Sequence, residues 1–278
     1  MPDAASTAAS TTASAQVIAI GLPQLLLATG LVVLVGLISV RLSLKLEREL
    51  AVATLRTYLQ LALLGFVLQW VFGVDTPWLV LLVLAVMVAA AAQLVAQRTP
   101  GAPRGVLGSS VVAMAVSGFT VTFAVTGLIV QVDPWYMPRY VIPIAGMVLG
   151  NSMTGIALSL ERLFADMDLR AEEITATLAL GATPWEAAGD VVRSALRAGL
   201  MPTINAMAAA GIVFIPGMMS GQILAGVDPL AATGYQIVVM LMVSAATAIG
   251  SVAAVMLLFR KRFTAEGVYL EQGYRGDV

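Results

Sequence analysis

No histidine and no cysteine occurs in the 278 residues, which removes most enzyme chemistry at once. A Ser-His-Asp or Cys-His relay, a disulfide and a Cys/His metal site all need residues that the chain lacks. What remains that could handle a solute is polar but uncharged. Residues Pro216, Gly217, Met218, Met219, Ser220, Gly221 and Gln222 interrupt a long apolar stretch. Proline removes a backbone hydrogen bond, and the adjoining glycine permits an unwound turn. Non-helical backbone survives in lipid only where protein or a water-filled path satisfies it. Interrupted helices near the bilayer midplane are where transporters build their sites. These seven residues are therefore candidates for a translocation path, with a packing kink as the competing explanation. Asn151 and Thr154, which share a helical face, form a second candidate set. Gly146 and Gly150, at small-xxx-small spacing, point instead to a seam where helices pack closely. Met218-Met219 is the one thioether pair beside the break; thioethers suit Cu(I), but methionine is also a flexible gap-filler. Apart from Glu161 near the end of the fifth, no Asp or Glu is evident within the apolar spans, so the residues assign no metal ligands.

The surrounding composition says what must position these groups. Hydrophobic residues make up 59% of the chain and charged residues 11%, with a mean hydropathy of +0.93. Soluble domains carry about 25% charged and about 45–50% apolar residues, so the chain belongs to the membrane class. Seven segments approach the roughly 20 apolar residues needed to cross a bilayer: about 19–40, 52–72, 77–97, 106–130, 139–163, 203–226 and 231–259. Turn signals separate them at Gly73 to Pro77, Thr99 to Pro103, Asp133-Pro134 and Asp228-Pro229. Of the 15 basic residues all but Arg139 fall on one side of this arrangement, which places the N-terminus outside and the C-terminus in the cytoplasm. The expected fold is an all-α membrane protein with a disordered tail over 1–16, a permease domain over 17–262 and a cytoplasmic tail over 263–278. The first fifteen residues contain no Lys or Arg, so a secretory signal is not expected.

The largest cytoplasmic loop, about 164–201, is patterned as a helical hairpin. A first helix over roughly 169–180 follows Asp166 and Asp168, either of which could cap it. Met167, Ala171, Ile174 and Leu178 give it an apolar face, and Gly181 a stop. The second helix opens at Thr183-Pro184 with Glu186 three residues after the threonine, a capping box with proline at the first helical position. Trp185, Ala188, Val192 and Leu196 line its apolar face, and Gly199 and Pro202 are expected to close it. An amphipathic helix resting on lipid headgroups is the alternative, although such helices are usually rich in Lys and Arg. Here the polar face carries Glu186, Asp190, Arg193 and Arg197.

A phosphate-binding loop needs a glycine-rich turn followed by a lysine. The chain has two lysines, Lys45 and Lys261, and neither follows such a turn; the run from Gly105 to Ser110 has no lysine and opens a span. If ATP drives this protein, another chain hydrolyses it.

The segment EEITATLALGATPWEAAGDVVRSALRAGLMPTI resembles the cytoplasmic loop of ABC-transporter permeases through Glu173, Ala176, Leu180, Gly181, Ala182, Thr183, Trp185 and Pro202. It differs from the commonest importers in Ile174-Thr175, where Ala-Ala is usual. Together with IAGMVLGNSMTGIALSLERL and IPGMMSGQILAGVDPLAATGYQI it resembles the FetB-type iron-export permeases and their aluminium-tolerance relatives in plants. That resemblance covers about residues 20–270. It implies a coupling helix, with Pro184 and Glu186 among its residues, that docks on a separate ABC ATPase holding ATP and Mg. It also implies metal export. Seven spans are few for a full translocation unit, so a homodimeric permease with two ATPase subunits is expected in the inner (plasma) membrane, with no nucleic-acid partner. A permease for a sugar nucleotide or organic compound, a membrane-embedded enzyme and a membrane scaffold are the rival readings.

Overall fold

Proline sets four of the helix starts. Pro77, Pro138, Pro184 and Pro229 each occupy the first position of a helix, where the missing N–H would have had no partner and the fixed φ suits the turn. Before Pro229, the Asp228 carboxylate accepts from the N–H groups of Leu230 (3.0 Å) and Ala231 (3.1 Å). The computed structural model describes residues 20–74, 76–99 and 105–270. Within them lie α1 (Leu22–Arg41), α2 (Glu47–Val71), α3 (Pro77–Gln97), α4 (Val106–Ala124, ending in a π-helical turn Val125–Ile129), α5 (Pro138–Leu169), α6 (Ala171–Ala179), α7 (Pro184–Ala209), α8 (Gly217–Leu224) and α9 (Pro229–Arg260). No strand occurs among the described residues beyond isolated bridges at Ala210–Phe214 and Phe263–Tyr269. The chain is all-α. The tail expected over 1–16 and the last eight residues of the tail expected over 263–278 lie outside the described residues.

Among the described residues, six helices are long and apolar enough to cross a membrane: α1, α2, α3, α4 with its π turn, α5 and α9. The stretch 203–226, expected as a further span, is not one helix. It comprises the end of α7, a turn from Ala210 to Pro216, and the two-turn α8. Two expected boundaries are corrected. α7 does not close at Gly199 and Pro202 but runs through both to Ala209. Gly199 sits so close to α5 that a Cβ there would collide with Ser159 Oγ and the Gly155 carbonyl, and this packing outweighs the weak helix propensity of both residues. α5 in turn runs to Leu169, past its expected end at 163, so Asp166 and Asp168 are not caps of the next helix. Asp166 pairs instead with Arg162 (2.8 Å) and Asp168 with Arg262.

The chain divides into two compact units. One takes in the residues up to Gln69 and Ile215–Gln236; the other takes in Trp70–Phe214 and the chain from Ile237 onward. The core of the second unit gathers Leu160, Leu163, Phe164 and Met167 of α5 with Met114 of α4, Ala188 and Val192 of α7, and Leu258 of α9. Lipid is as apolar as leucine, so close approach through small residues has to hold such helices together. Gly118 of α4 faces Leu149, and Gly250 of α9 faces Ser117 and Ile156. Gly155 of α5 faces Thr247 and the Gly199 carbonyl. The tight seam of α5 therefore lies at Gly155 and not at the expected Gly146 and Gly150. Gly146 touches only Met87, and Gly150 has no neighbour within 4 Å.

In the first unit, α1 and α2 are joined by a few polar ties. The Thr29 and Tyr58 hydroxyls are 2.7 Å apart, and Tyr58 donates to Leu25 O at 3.0 Å. Ser39 donates to the Glu47 carboxylate at 2.8 Å. Much of the remaining surface of both helices is exposed leucine, valine and aromatic side chain, as at Leu27, Leu31 and Phe66, a surface suited to lipid, while Arg48, Glu49, Arg56 and Gln60 are exposed towards the start of α2.

Candidate functional site

Between α5 and α7 the chain forms a helical hairpin whose turn is closed from both sides. Leu180 follows the last residue of α6, and Gly181 adopts φ +94°. The Gly181 N–H donates to Leu178 O (2.9 Å) and the Ala182 N–H to Thr177 O (3.3 Å), the paired bonds of a Schellman motif. A Cβ at 181 would meet nothing within 4 Å, so the left-handed backbone alone calls for glycine. On the far side Thr183 caps α7. Its hydroxyl accepts from the Glu186 N–H (3.3 Å), and the Glu186 carboxylate accepts from the Thr183 N–H (2.8 Å) and hydroxyl (2.7 Å). The capping box expected from the spacing is present. These bonds, the backbone one first, hold the Glu186 carboxyl below its ordinary pKa.

Arg170 locks the two arms together. Its guanidinium donates to Glu173 of α6 (2.7 and 2.8 Å) and to Asp190 of α7 (2.5 Å). Hydrogen bonding to Arg170 lowers the pKa of both carboxyls. On its inner side the hairpin buries Ala171 and Ile174 of α6 and Ala187, Ala188, Val191, Val192 and Ala195 of α7. Most of the apolar face of α7 is thus covered inside this chain, while Trp185 at its start stays exposed and Leu196 half-buried.

A turn after α9 braces the same hairpin. Arg262, only 3% exposed, pairs with Asp168 and donates to Leu270 O at 3.2 Å. Its guanidinium carbon lies 5.3 Å from the Phe164 ring centroid and 5.8 Å from that of Tyr269, within cation–π range. The turn reverses at Gly267 (φ +83°), which lies against Pro184 at the start of α7. Trp185 stands edge-on to Phe259 at 6.1 Å and packs over Gly189, leaving it 46% exposed. Lys261 meanwhile donates to Gly105 O (3.3 Å) and Ser109 Oγ (2.9 Å). It thereby ties the end of α9 to the glycine turn that opens α4.

The structure brings all nine expected coupling residues into this hairpin. Glu173, Ala176, Leu180, Gly181, Thr183, Trp185 and Glu186 are exposed, while Ala182 and Pro184 are half-buried. The candidate path residues fall in both units. In the second, Asn151 and Thr154 are exposed on α5 and donate back to Met147 O (2.8 Å) and Gly150 O (3.4 Å). In the first, Pro216 is the extended residue that precedes α8, and Gly217 is its first helical residue. Met218, Met219 and Ser220 are half-buried, and Gly217 and Gly221 exposed. The Met219 N–H donates to the buried Gln236 side-chain oxygen at 3.3 Å. The buried Gln222 Oε1 has no hydrogen-bond partner. A carbonyl oxygen left so is an acceptor available to a donor or a cation.

A model of the family described as Uncharacterised protein family (UPF0014) matches residues 22–263. The chain belongs to this family. It is 36% identical to "Probable iron export permease protein FetB" of Escherichia coli (strain K12), over 87% of this chain and 92% of that protein. It is 38% identical to "UPF0014 membrane protein slr1647" of Synechocystis, over 79% of this chain and 85% of that one. It is 36% identical to "Protein ALUMINUM SENSITIVE 3" of Arabidopsis thaliana, over 84% of each. No solved structure matches. The chain is a multi-pass membrane protein of this family, and the match takes in the hairpin, the 210–216 turn and α8.

Sequence reasoning missed the contacts of Arg170, Arg262, Gln236 and Tyr269, and took Asp168 for a possible cap where it is an ion-pair partner. The Arg170–Glu173 pair was within reach of an i,i+3 rule. Arg262 and Asp168 are 94 residues apart, and nothing local marks either one.

Proposed function

We propose that the chain is the membrane-spanning permease of an ABC transporter, and that a separate ATP-hydrolysing subunit docks on the α6–α7 hairpin. The observation that carries this is the hairpin itself. It is rigidly capped, braced by Arg170 and the turn after α9, and set between apolar elements at the end of the second unit that bears Arg170, Arg193, Lys261 and Arg262. A membrane protein has no need of so ordered a protrusion unless something grips it. Seven crossings, N-terminus outside and C-terminus cytoplasmic, are the topology we propose, with the stretch 203–226 counted as a broken crossing. Two copies with two ATPase subunits form the working unit, with ATP and Mg held by the ATPase. The path candidates, each taken within its own unit, are Asn151 and Thr154 in the second unit and the 216–222 segment in the first.

The solute is a metal ion moved outward, iron in the first instance, as the printed name of the E. coli relative supports. Another small solute is the second reading. It is favoured by the lack, among the described residues, of any group of three or more Asp or Glu side chains placed to hold a metal. Proteoliposomes containing both subunits distinguish the two. ATP-dependent movement of iron, and not of organic solutes or sugar nucleotides, is the expected result. Hydrolysis and transport indifferent to every metal offered would overturn the metal assignment.

A further inference from the structure

With most of the apolar face of α7 buried and Trp185 its one exposed member, whatever docks here must read the hairpin's outer surface, and that surface has a distinct chemistry. Leu180, at the tip, is 90% exposed. The Gly267 turn rests on Pro184, four residues further along, and carries Val268, itself 59% exposed. From Ala171 to Asp190 the chain holds four carboxylates, Glu172, Glu173, Glu186 and Asp190, and no Lys or Arg; all four are exposed. Arg170 is committed to two of them. Glu172 has no ion pair and Glu186 serves only the Thr183 cap. The tip is therefore an apolar knob backed by negative charge, in a chain whose net charge is only −1.

An anionic membrane surface repels such a tip, and an acidic groove would too. We infer that the hairpin's partner presents an apolar socket, sized for Leu180 and rimmed by Lys or Arg. The inference rests on the reading that an ABC ATPase docks here, and it specifies the surface that ATPase must offer. Apolar anchors in a desolvated pocket carry most of the affinity of an interface. Rim charges steer encounter and make it salt-sensitive. Leu180 therefore supplies grip and the carboxylates supply selection among ATPases.

The test uses the full-length chain in lipid nanodiscs and each lone ABC ATPase subunit of the source organism, purified, with binding measured at low and high salt. Binding by at least one subunit that weakens about tenfold or more with Leu180→Asp, and about threefold with Glu172→Lys, supports the inference. High salt is expected to weaken the wild type and to affect Glu172→Lys less. Neither side chain is buried, and an unchanged size-exclusion profile shows that both variants fold. Binding that ignores salt and both substitutions overturns the inference alone and leaves the ATPase reading standing. Binding instead to protein-free anionic vesicles, relieved by salt, would make the tip a lipid contact and overturn it. Failure of every subunit to bind overturns the ATPase reading and this inference with it.

Discussion

Removing Asp168 and removing Arg262 should not cost the same, although they form one ion pair. The Arg262 side chain is 4% exposed and that of Asp168 is 31% exposed, so the two charges are left in different surroundings when a partner is lost. Asp168→Asn strands a buried guanidinium and is expected to cost about 3 kcal/mol. Arg262→Met leaves a carboxylate that can reach water and should cost less; thermal unfolding of the two variants in detergent measures the difference. The Arg170 tie carries a pH signature. Glu173 and Asp190 have pKa values lowered by the same guanidinium, so the stability they lend is fully present above the ordinary carboxylate range. It is lost as pH falls through their lowered values. Hydrogen-exchange protection at the hairpin, taken relative to the intrinsic exchange rate at each pH, should therefore hold between about pH 7 and pH 5 and fall only below about pH 4. Loss of protection already at pH 6 would contradict the tie.

Among elements, the α5–α7 crossing offers the sharpest contrast between glycines that look alike in sequence. Gly199→Ala forces a methyl group into Ser159 and the Gly155 carbonyl, and overpacking of this kind costs about 1–3 kcal/mol or more. Gly150→Ala meets nothing and should be neutral or stabilising by about 0.5–1 kcal/mol, because alanine loses less backbone entropy in a helix. Melting of the two variants side by side checks both. The reverse ranking would put the seam at Gly146 and Gly150, where the small-xxx-small spacing suggested it. The same crossing explains what was legible beforehand. Prolines, the Gly181 stop and the Thr183–Glu186 box are local signals, and the helix starts and the hairpin turn follow from them. The passage of α7 through Gly199 and Pro202 is a consequence of packing on α5, which no local signal carries. The burial of the α7 apolar face against its own chain is likewise a tertiary fact. Amphipathicity shows that a face must be covered and does not show by what.

At the scale of the whole molecule, under the proposed function, the six apolar helices of the described residues, the interrupted 203–226 stretch and the braced hairpin divide the labour of a machine driven by a partner. The interruption was legible from Pro216-Gly217, though its form was not: the backbone leaves the helix from Ala210, well before the proline. Pro216→Ala with Gly217→Ala is expected to abolish transport at normal expression; normal transport by that variant would reduce the turn to a packing feature. Gln222→Leu should lower transport as well, since it deletes the buried acceptor that has no partner among the described residues. All of this presumes a chain that is gripped and moved by an ATPase. The direct measurement is ATP hydrolysis by a lone ABC ATPase subunit of the source organism, with and without the full-length chain in lipid. The account predicts a stable complex, hydrolysis that rises on assembly, and loss of that rise with Leu180→Asp in a folded chain. ATPase subunits that neither bind the chain nor change their rate in its presence would contradict it.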